Sequence, residues 1–461
     1  MKSLYLIFKR YRGMAFAEIT MIILIALLSL SFTYSLCYVY EASANVRYAD
    51  RVIGEDVALF YYNADVIRPD VKSDEDFLER MDLFQDIYDS QTMKNAVAEI
   101  ISDTGAEGVS RLTLLPVDIQ DWAKNPNRST AWTEALREYD HASSRTVVSY
   151  DPLTLKNLPI DLREGRWFTD EEAEPISLDD ENVEIPVILS MDWDECYDIG
   201  DVFYAVMDEV DLKANEDILE EINIPKDKMK FKVIGRLKKG AYYYRMQNIT
   251  DQFLGVFGRT DLVTSDTSSF MIAPELTVNG KLCSTVTWPS IEHDVGFVFA
   301  KDAQSKVGEW NNSATKQYGQ FVSVREIAEK TKEEFQSGSK TYILHTMIFG
   351  VMLLINLYGY NLMLIRKQKK AFAVYFASGM TWKRGLGLCL TGNLLVFVIS
   401  GILGSIAGIS VVNTVREMSQ DTNLLAALSS MGGIFVIFLI SSAFTAYYMA
   451  KTDPTELLSG E

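Results

Sequence analysis

Side chains capable of covalent or metal chemistry are few in this sequence and badly spaced for it. The three histidines, His141, His293 and His345, lie far apart and match neither zinc-ligand spacing nor the base of a hydrolase triad. Asp192, Asp194, Glu195 and Asp198 cluster, but without the spacing or central glycine of an EF-hand loop. They read as a solvated face. No G-x-x-x-x-G-K-[ST] phosphate loop occurs, so the chain does not hold ATP by that device. Tyr242-Tyr243-Tyr244-Arg245 offers either an exposed aromatic patch for a peptide or lipid, or the packed side of a β-hairpin. Enzymatic chemistry is not where these residues point.

The more informative chemistry is that of docking, and it lies between Arg366 and Gly408. Phe372, Tyr375, Phe376, Gly379 and Trp382 recur at three- and four-residue spacings, which gather side chains on one side of a helix. Lys369, Lys370, Lys383 and Arg384 flank this stripe. Taken alone, the pattern fits a helix lying in lipid headgroups or one seated on a partner protein. Further on, Ser400, Gly404 and Gly408 repeat every fourth residue. That small-xxx-small spacing lets helix backbones approach closely, within one subunit or across a dimer.

Positioning such a segment requires a membrane. The chain has 461 residues and a formal charge of −19, with a mean hydropathy of +0.02, an average that conceals an acidic part and an apolar one. Apolar runs long enough to cross a bilayer occupy 14–40, 341–365, 386–412 and 424–449. The first follows Lys2, Lys9, Arg10 and Arg12 but exceeds a signal-peptide core, so it reads as an uncleaved helix. Glu18 reads as an interfacial anchor within it. Its later half, Ser29 to Ser35, carries hydroxyls suited to bonding across helices. Lys and Arg flank the inner ends. The positive-inside rule then places both termini (1–13 and 450–461) and the 366–385 connection in the cytoplasm, with 41–340 and the short 413–423 loop outside.

The outside region holds most of the acidic excess, which argues against nucleic acid as a partner. Alternating strands and helices give an α+β part (41–161 and 290–340), and short strands separated by Gly and Asp turns give a β-rich insert (162–289). Ser323-Val-Arg-Glu326 fits a capping box opening a helix that runs toward Gln336, with Ser337-Gly338-Ser339 as the connection to the second apolar run. Cys196 and Cys283 are the two cysteines outside, where a disulfide is chemically permitted.

Three sets of residues carry a family resemblance. Lys370 to Gly379, then Met380-Thr381-Trp382-Lys383-Arg384 and a glycine-punctuated apolar helix, resemble the cytoplasmic coupling segment of FtsX/MacB-like permeases, subunits of one class of ABC transporters. Ala371 and Phe376 stand where that family often has Glu and a basic residue. Gly165-Arg166-Trp167, Ile199-Gly200-Asp201 and Val233-Ile234-Gly235 are similar, in this order, to pieces of the family's extracytoplasmic domain, and Pro454-Thr-Glu456-Leu457-Leu458 to its C-terminal segment. The resemblance implies a bacterial plasma-membrane permease, without catalysis of its own, that pairs with a second permease chain (homo- or heterodimer). It also implies a separate ABC ATPase, through which ATP and Mg²⁺ act, and mechanotransmission to an extracytoplasmic peptide or other amphiphile. Under it Phe372, Tyr375, Phe376, Gly379, Met380 and Trp382 couple to the ATPase, while Lys383 and Arg384 anchor at membrane lipid. A ligand-sensing receptor, a scaffold or a regulator of a cell-wall hydrolase is the alternative.

Overall fold

The computed structural model describes residues 15–63, 66, 91–119, 144–180, 182–190, 197–207, 228–244, 253–260, 270–283, 295–367, 379, 381–415 and 418–451. It divides into two compact units, one made of Met1–Ala44 with Lys332–Glu461 and the other of Asn45–Thr331.

Four long helices dominate the first unit: Ala15–Tyr48, Val324–Lys367, Trp382–Val415 and Gln420–Lys451. Each is long and apolar enough to cross a membrane. The second differs from its expected form. Ser337-Gly338-Ser339 lies inside it rather than breaking it, and Ser339 Oγ donates to Gln336 O at 2.9 Å. One glycine inside a helix costs only ~1 kcal/mol relative to alanine, too little to stop a helix that propagates from both sides. The third begins at Trp382, so Trp382, Lys383 and Arg384 belong to its first turn rather than to a separate connecting segment. Two apolar clusters lie within this unit. One joins Met21, Ile25 and Leu28 to Leu353, Leu357, Phe397, Ile434 and Phe438, and the other joins Tyr34, Cys37 and Ala42 to Phe335, Val412, Met418 and Ala426.

In Asn45–Thr331, the strand Val57–Tyr62 has every residue buried, because both its faces are covered. Ala58, Phe60 and Tyr62 pack with the helices Gln91–Thr104 and Ala303–Trp310 through Met93, Ala96, Ile100, Val307 and Trp310. Val57, Leu59 and Tyr61 turn to a second core on the opposite face. This strand lies between Gly319–Val322 and Val295–Phe299 in a four-stranded sheet, antiparallel throughout.

A seven-stranded sheet forms the other half and closes into a barrel. Its order runs Leu162–Gly165, Met229–Leu237, Glu184–Leu189, Phe270–Pro274, Ser144–Tyr150, Leu112–Ile119 and Val202–Met207, and the last pairs back onto Met229–Leu237. Leu115, Val117, Val147, Val187, Phe203, Phe231, Val233 and Met271 fill its interior. The structure thus draws the internal division elsewhere than 162–289: Leu112–Ile119 and Ser144–Tyr150 are barrel staves rather than strands of the first part. Alternation in LTLLPVDI identifies a half-buried strand, but not which sheet receives it.

Candidate functional site: the third long helix and what it grips

Just before the third helix, Gly379 stands in a turn. Gly379 has φ +88°, left-handed backbone that glycine adopts freely and other residues only with strain. Arg384 N donates to Thr381 O at 3.0 Å, which starts the helix, and Arg384 is exposed. Phe372, Tyr375, Phe376 and Met380 lie outside the described residues, as does the tail from Thr452 onward.

Further along the same helix, the small-residue stripe is filled from within the chain. A Cβ on Gly404 would run into Ala26 O and stand 2.7 Å from Ser29 Cβ, and one on Gly408 would stand 3.0 Å from Leu30 O and 3.1 Å from Thr33 Cβ. The two glycines meet the first helix at points one turn apart. Ser400 is buried and donates to Val396 O at 2.7 Å within its own helix. Of the alternatives open to this stripe, packing within one subunit is therefore its observed use.

Facing the stripe, the first helix presents a polar edge. Ser29, Thr33, Cys37 and Glu41 recur every fourth residue, and all are fully buried. Ser29 Oγ donates to Gly401 O at 2.9 Å and lies 2.9 Å from Ser405 Oγ. Thr33 Oγ1 donates to Ser405 Oγ at 3.4 Å, and Ser430 Oγ of the fourth helix donates to Ser29 O at 3.2 Å. At the far end, Cys37 Sγ donates to Asn423 Oδ1 at 3.5 Å, and Thr422 Oγ1 donates to Glu41 Oε2 at 2.7 Å while accepting from Ser419 Oγ at 2.7 Å. The hydroxyls of Ser29 and Thr33 were legible as candidates for cross-helix bonds. Glu41, Thr422 and Asn423 gave no such signal, since each sits at the edge of an apolar run where a polar residue is ordinary. What these hydroxyls and amides fix is register between helices.

In Asn45–Thr331, the three short motifs of the sequence converge on one strand. Arg166 N donates to Ile234 O at 3.0 Å, Gly200 N to Val233 O at 2.8 Å and Val233 N to Asp201 O at 2.9 Å. Gly165, at φ +82°, has no room for a Cβ against Ile234 O and Gly235 Cα. One edge of Met229–Leu237 is thereby shared, Val202–Met207 taking its first half and Leu162–Gly165 its second. Arg166 forks onto Glu172 at 2.5 and 2.6 Å, and this charge-assisted pair, with Thr169 N–H, pulls the Glu172 carboxyl down to about 2.

The other candidates resolve differently. Tyr242, Tyr243 and Tyr244 are buried in a strand paired with Phe257–Arg259. Of the two uses open to these tyrosines, the structure shows the packed side of a β-hairpin, because tilted and edge-on contacts with Tyr48, Phe253, Phe257 and Phe270 take all three rings out of water. Burial raises the hydroxyl pKa of Tyr244 and of Tyr150, whose O–H donates to Tyr244 O at 2.9 Å. Cys283 carries a free, buried thiol that burial pushes up to about 12; Cys196, Asp192, Asp194 and Glu195 lie outside the described residues. Among the described residues no group of three or more metal-capable side chains comes together. His141 and His293 lie outside the described residues, and His345 sits exposed on the second helix. Compared with known proteins, the chain matches no family model and no curated sequence.

Proposed function

We propose that this chain is the permease subunit of a bacterial ABC transporter of the FtsX/MacB-like, mechanotransmitting kind. It sits in the plasma membrane with both termini inside and residues 41–340 outside. ATP and Mg²⁺ act through a separate ATPase seated on 366–385, chiefly on Phe372, Tyr375, Phe376, Gly379, Met380 and Trp382, with Lys383 and Arg384 at the lipid surface. The substrate is a peptide or other amphiphile already outside, exported or extracted by movement of the outer unit.

One observation carries this reading: the turn at Gly379 leads directly into the helix whose Gly404 and Gly408 are keyed to the first helix. A push on the docking segment has a rigid lever to act on. Glycines and hydroxyls that lock two helices one turn at a time pass displacement along the helix axis better than a loose apolar contact does. The first and second helices, Ala15–Tyr48 and Val324–Lys367, each straddle the boundary between the two units, so no linker intervenes in sequence. Only contacts that differ between the ATP-bound and ATP-free states then do work.

Co-purification of the tagged full chain from its native membrane tests this. A stoichiometric ABC ATPase is expected, lost with Phe376→Asp and retained but unstimulated with Gly379→Pro, since proline cannot adopt positive φ. No ATPase under mild detergent overturns the reading in favour of a receptor or scaffold.

A further inference from the structure

Among the described residues of Asn45–Thr331, three large apolar side chains are exposed, and all three lie at one place on the barrel: Ile199 at 42%, Val202 at 39% and Tyr204 at 46%. Phe203 and Ala205 are buried in the barrel interior. Alternation therefore puts Val202 and Tyr204 side by side on the outward face of Val202–Met207, with Ile199 in the turn just ahead of the strand. Single apolar residues scattered over a surface need no explanation, whereas neighbours that gather do.

The neighbouring strand carries the opposite chemistry. Val202 stands opposite Lys232 and Tyr204 opposite Lys230 in the antiparallel pairing with Met229–Leu237. Exposed Lys228 continues the same alternation, since Met229, Phe231 and Val233 fill the interior. Three lysines thus flank the apolar column, one strand spacing of ~4.8 Å away. Among the described residues one carboxylate pairs with them: Glu184, with Lys230 at 2.7 Å and Lys232 at 3.2 Å. The row therefore keeps a positive excess, a local exception in a chain of charge −19. Acidic residues border the column elsewhere, Asp118 opposite Val206 and Asp198 and Asp201 either side of the Ile199 turn. The positive flank is confined to one side.

We infer that this face seats an amphipathic helix of a partner protein, its apolar stripe on Val202 and Tyr204 and a row of Asp or Glu along the flank that meets the lysines. The face is the outside of a closed barrel, not the concave surface that encloses a small amphiphile. Val202–Met207 pairs with Met229–Leu237 on one side and, from Ala205 on, with Leu112–Ile119 on the other, so an added strand finds no full edge to extend. A helix satisfies its own backbone and docks through side chains, which is how sheet faces are covered in layered folds. Val202 to Val206 spans ~13 Å, the length of about nine helical residues. Tyr204 and its apolar neighbours supply affinity; the lysines supply orientation and speed of encounter. The inference goes beyond the permease reading and does not rest on it.

Its test is photocross-linking in native-host cells, and in extracts of them where salt can be set, with a benzophenone side chain in place of Tyr204 in the full chain. An adduct to another protein is expected, its linked peptide an amphipathic helix with an acidic flank. Lys228→Glu, Lys230→Glu and Lys232→Glu together must lower the yield several-fold. The same probe at Lys281, exposed on a separate hairpin, must not give this adduct. Where the triple variant fails to accumulate, ~1 M salt, which shortens the Debye length to ~3 Å, replaces it with the lysines intact. The inference is overturned by no adduct, by adducts only to lipid or to this chain itself, such as its 208–227 stretch, or by a linked peptide without acidic residues. An adduct that charge reversal or salt leaves unchanged overturns it equally.

Discussion

The helix bundle and the barrel of Asn45–Thr331 solve the same problem with opposite materials. Inside the barrel, Phe231, Val233, Phe203 and Met271 exclude polar groups and remove apolar area from water, at roughly 25 cal/mol per Å². Between the first and third helices the contact is bare backbone and hydroxyl: Gly404, Gly408, Ser405, Ser29 and Thr33. Lipid is as apolar as leucine, so burying leucine there gains little, and close approach plus hydrogen bonds must do the holding. On the membrane-spanning reading, one chain carries both solutions because it faces two solvents.

The comparison can be broken at several strengths. Gly404→Leu should have the largest effect, since the new side chain has to displace the backbone of the first helix at Ala26. Loss of folded protein, or of protease resistance in detergent, measures it. Phe231→Ala should destabilise the barrel by about 3 to 5 kcal/mol through lost burial and a cavity, read by urea unfolding followed through a barrel-specific probe. The bundle should hardly register that change. Ser29→Ala is expected to cost only ~0.6 kcal/mol, the typical worth of a hydroxyl contact between membrane helices. A loss above ~2 kcal/mol would mean that the polar edge, rather than close glycine packing, holds the bundle. The smallest effect belongs to Glu172→Gln. Arg166 holds the Glu172 carboxyl at about 2, below its ordinary 4.5, so the pair's contribution is complete above pH ~4.5 and is lost as pH falls toward 2. The variant should flatten the acid limb of the stability of Asn45–Thr331 between those values and leave neutral pH nearly unchanged.

What could be read beforehand followed from local pattern. The four long helices were legible as apolar runs, and Val57–Tyr62, Glu184–Leu189 and Val295–Phe299 as strands, because burial on one or both faces writes itself into hydropathy. Ser323 does accept from Glu326 N at 3.3 Å, as the capping motif predicted. Pairing was not legible. Leu112–Ile119 meets Val202–Met207 on one side and Ser144–Tyr150 on the other, and nothing within the strand names either partner. The Ser337-Gly338-Ser339 break failed because turn-prone residues are weak signals against long flanking helices. As for the candidate site, the glycine stripe was visible from spacing alone, but its occupant was not: Ala26 and Leu30 contribute backbone carbonyls, which any residue would supply.

The Val57–Tyr62 strand, described above for its two covered faces, also sets a timetable. It is among the first parts of Asn45–Thr331 to be synthesised, yet its neighbours are Val295–Phe299 and Gly319–Val322, near the far end. Until those arrive, six consecutive apolar residues stand with both edges unpaired, the condition in which strands recruit the wrong chain. Such distant pairing also makes for slow folding. A nascent chain halted anywhere before Val322 is therefore predicted to be sticky, and its survival falls to whatever holdase meets it first.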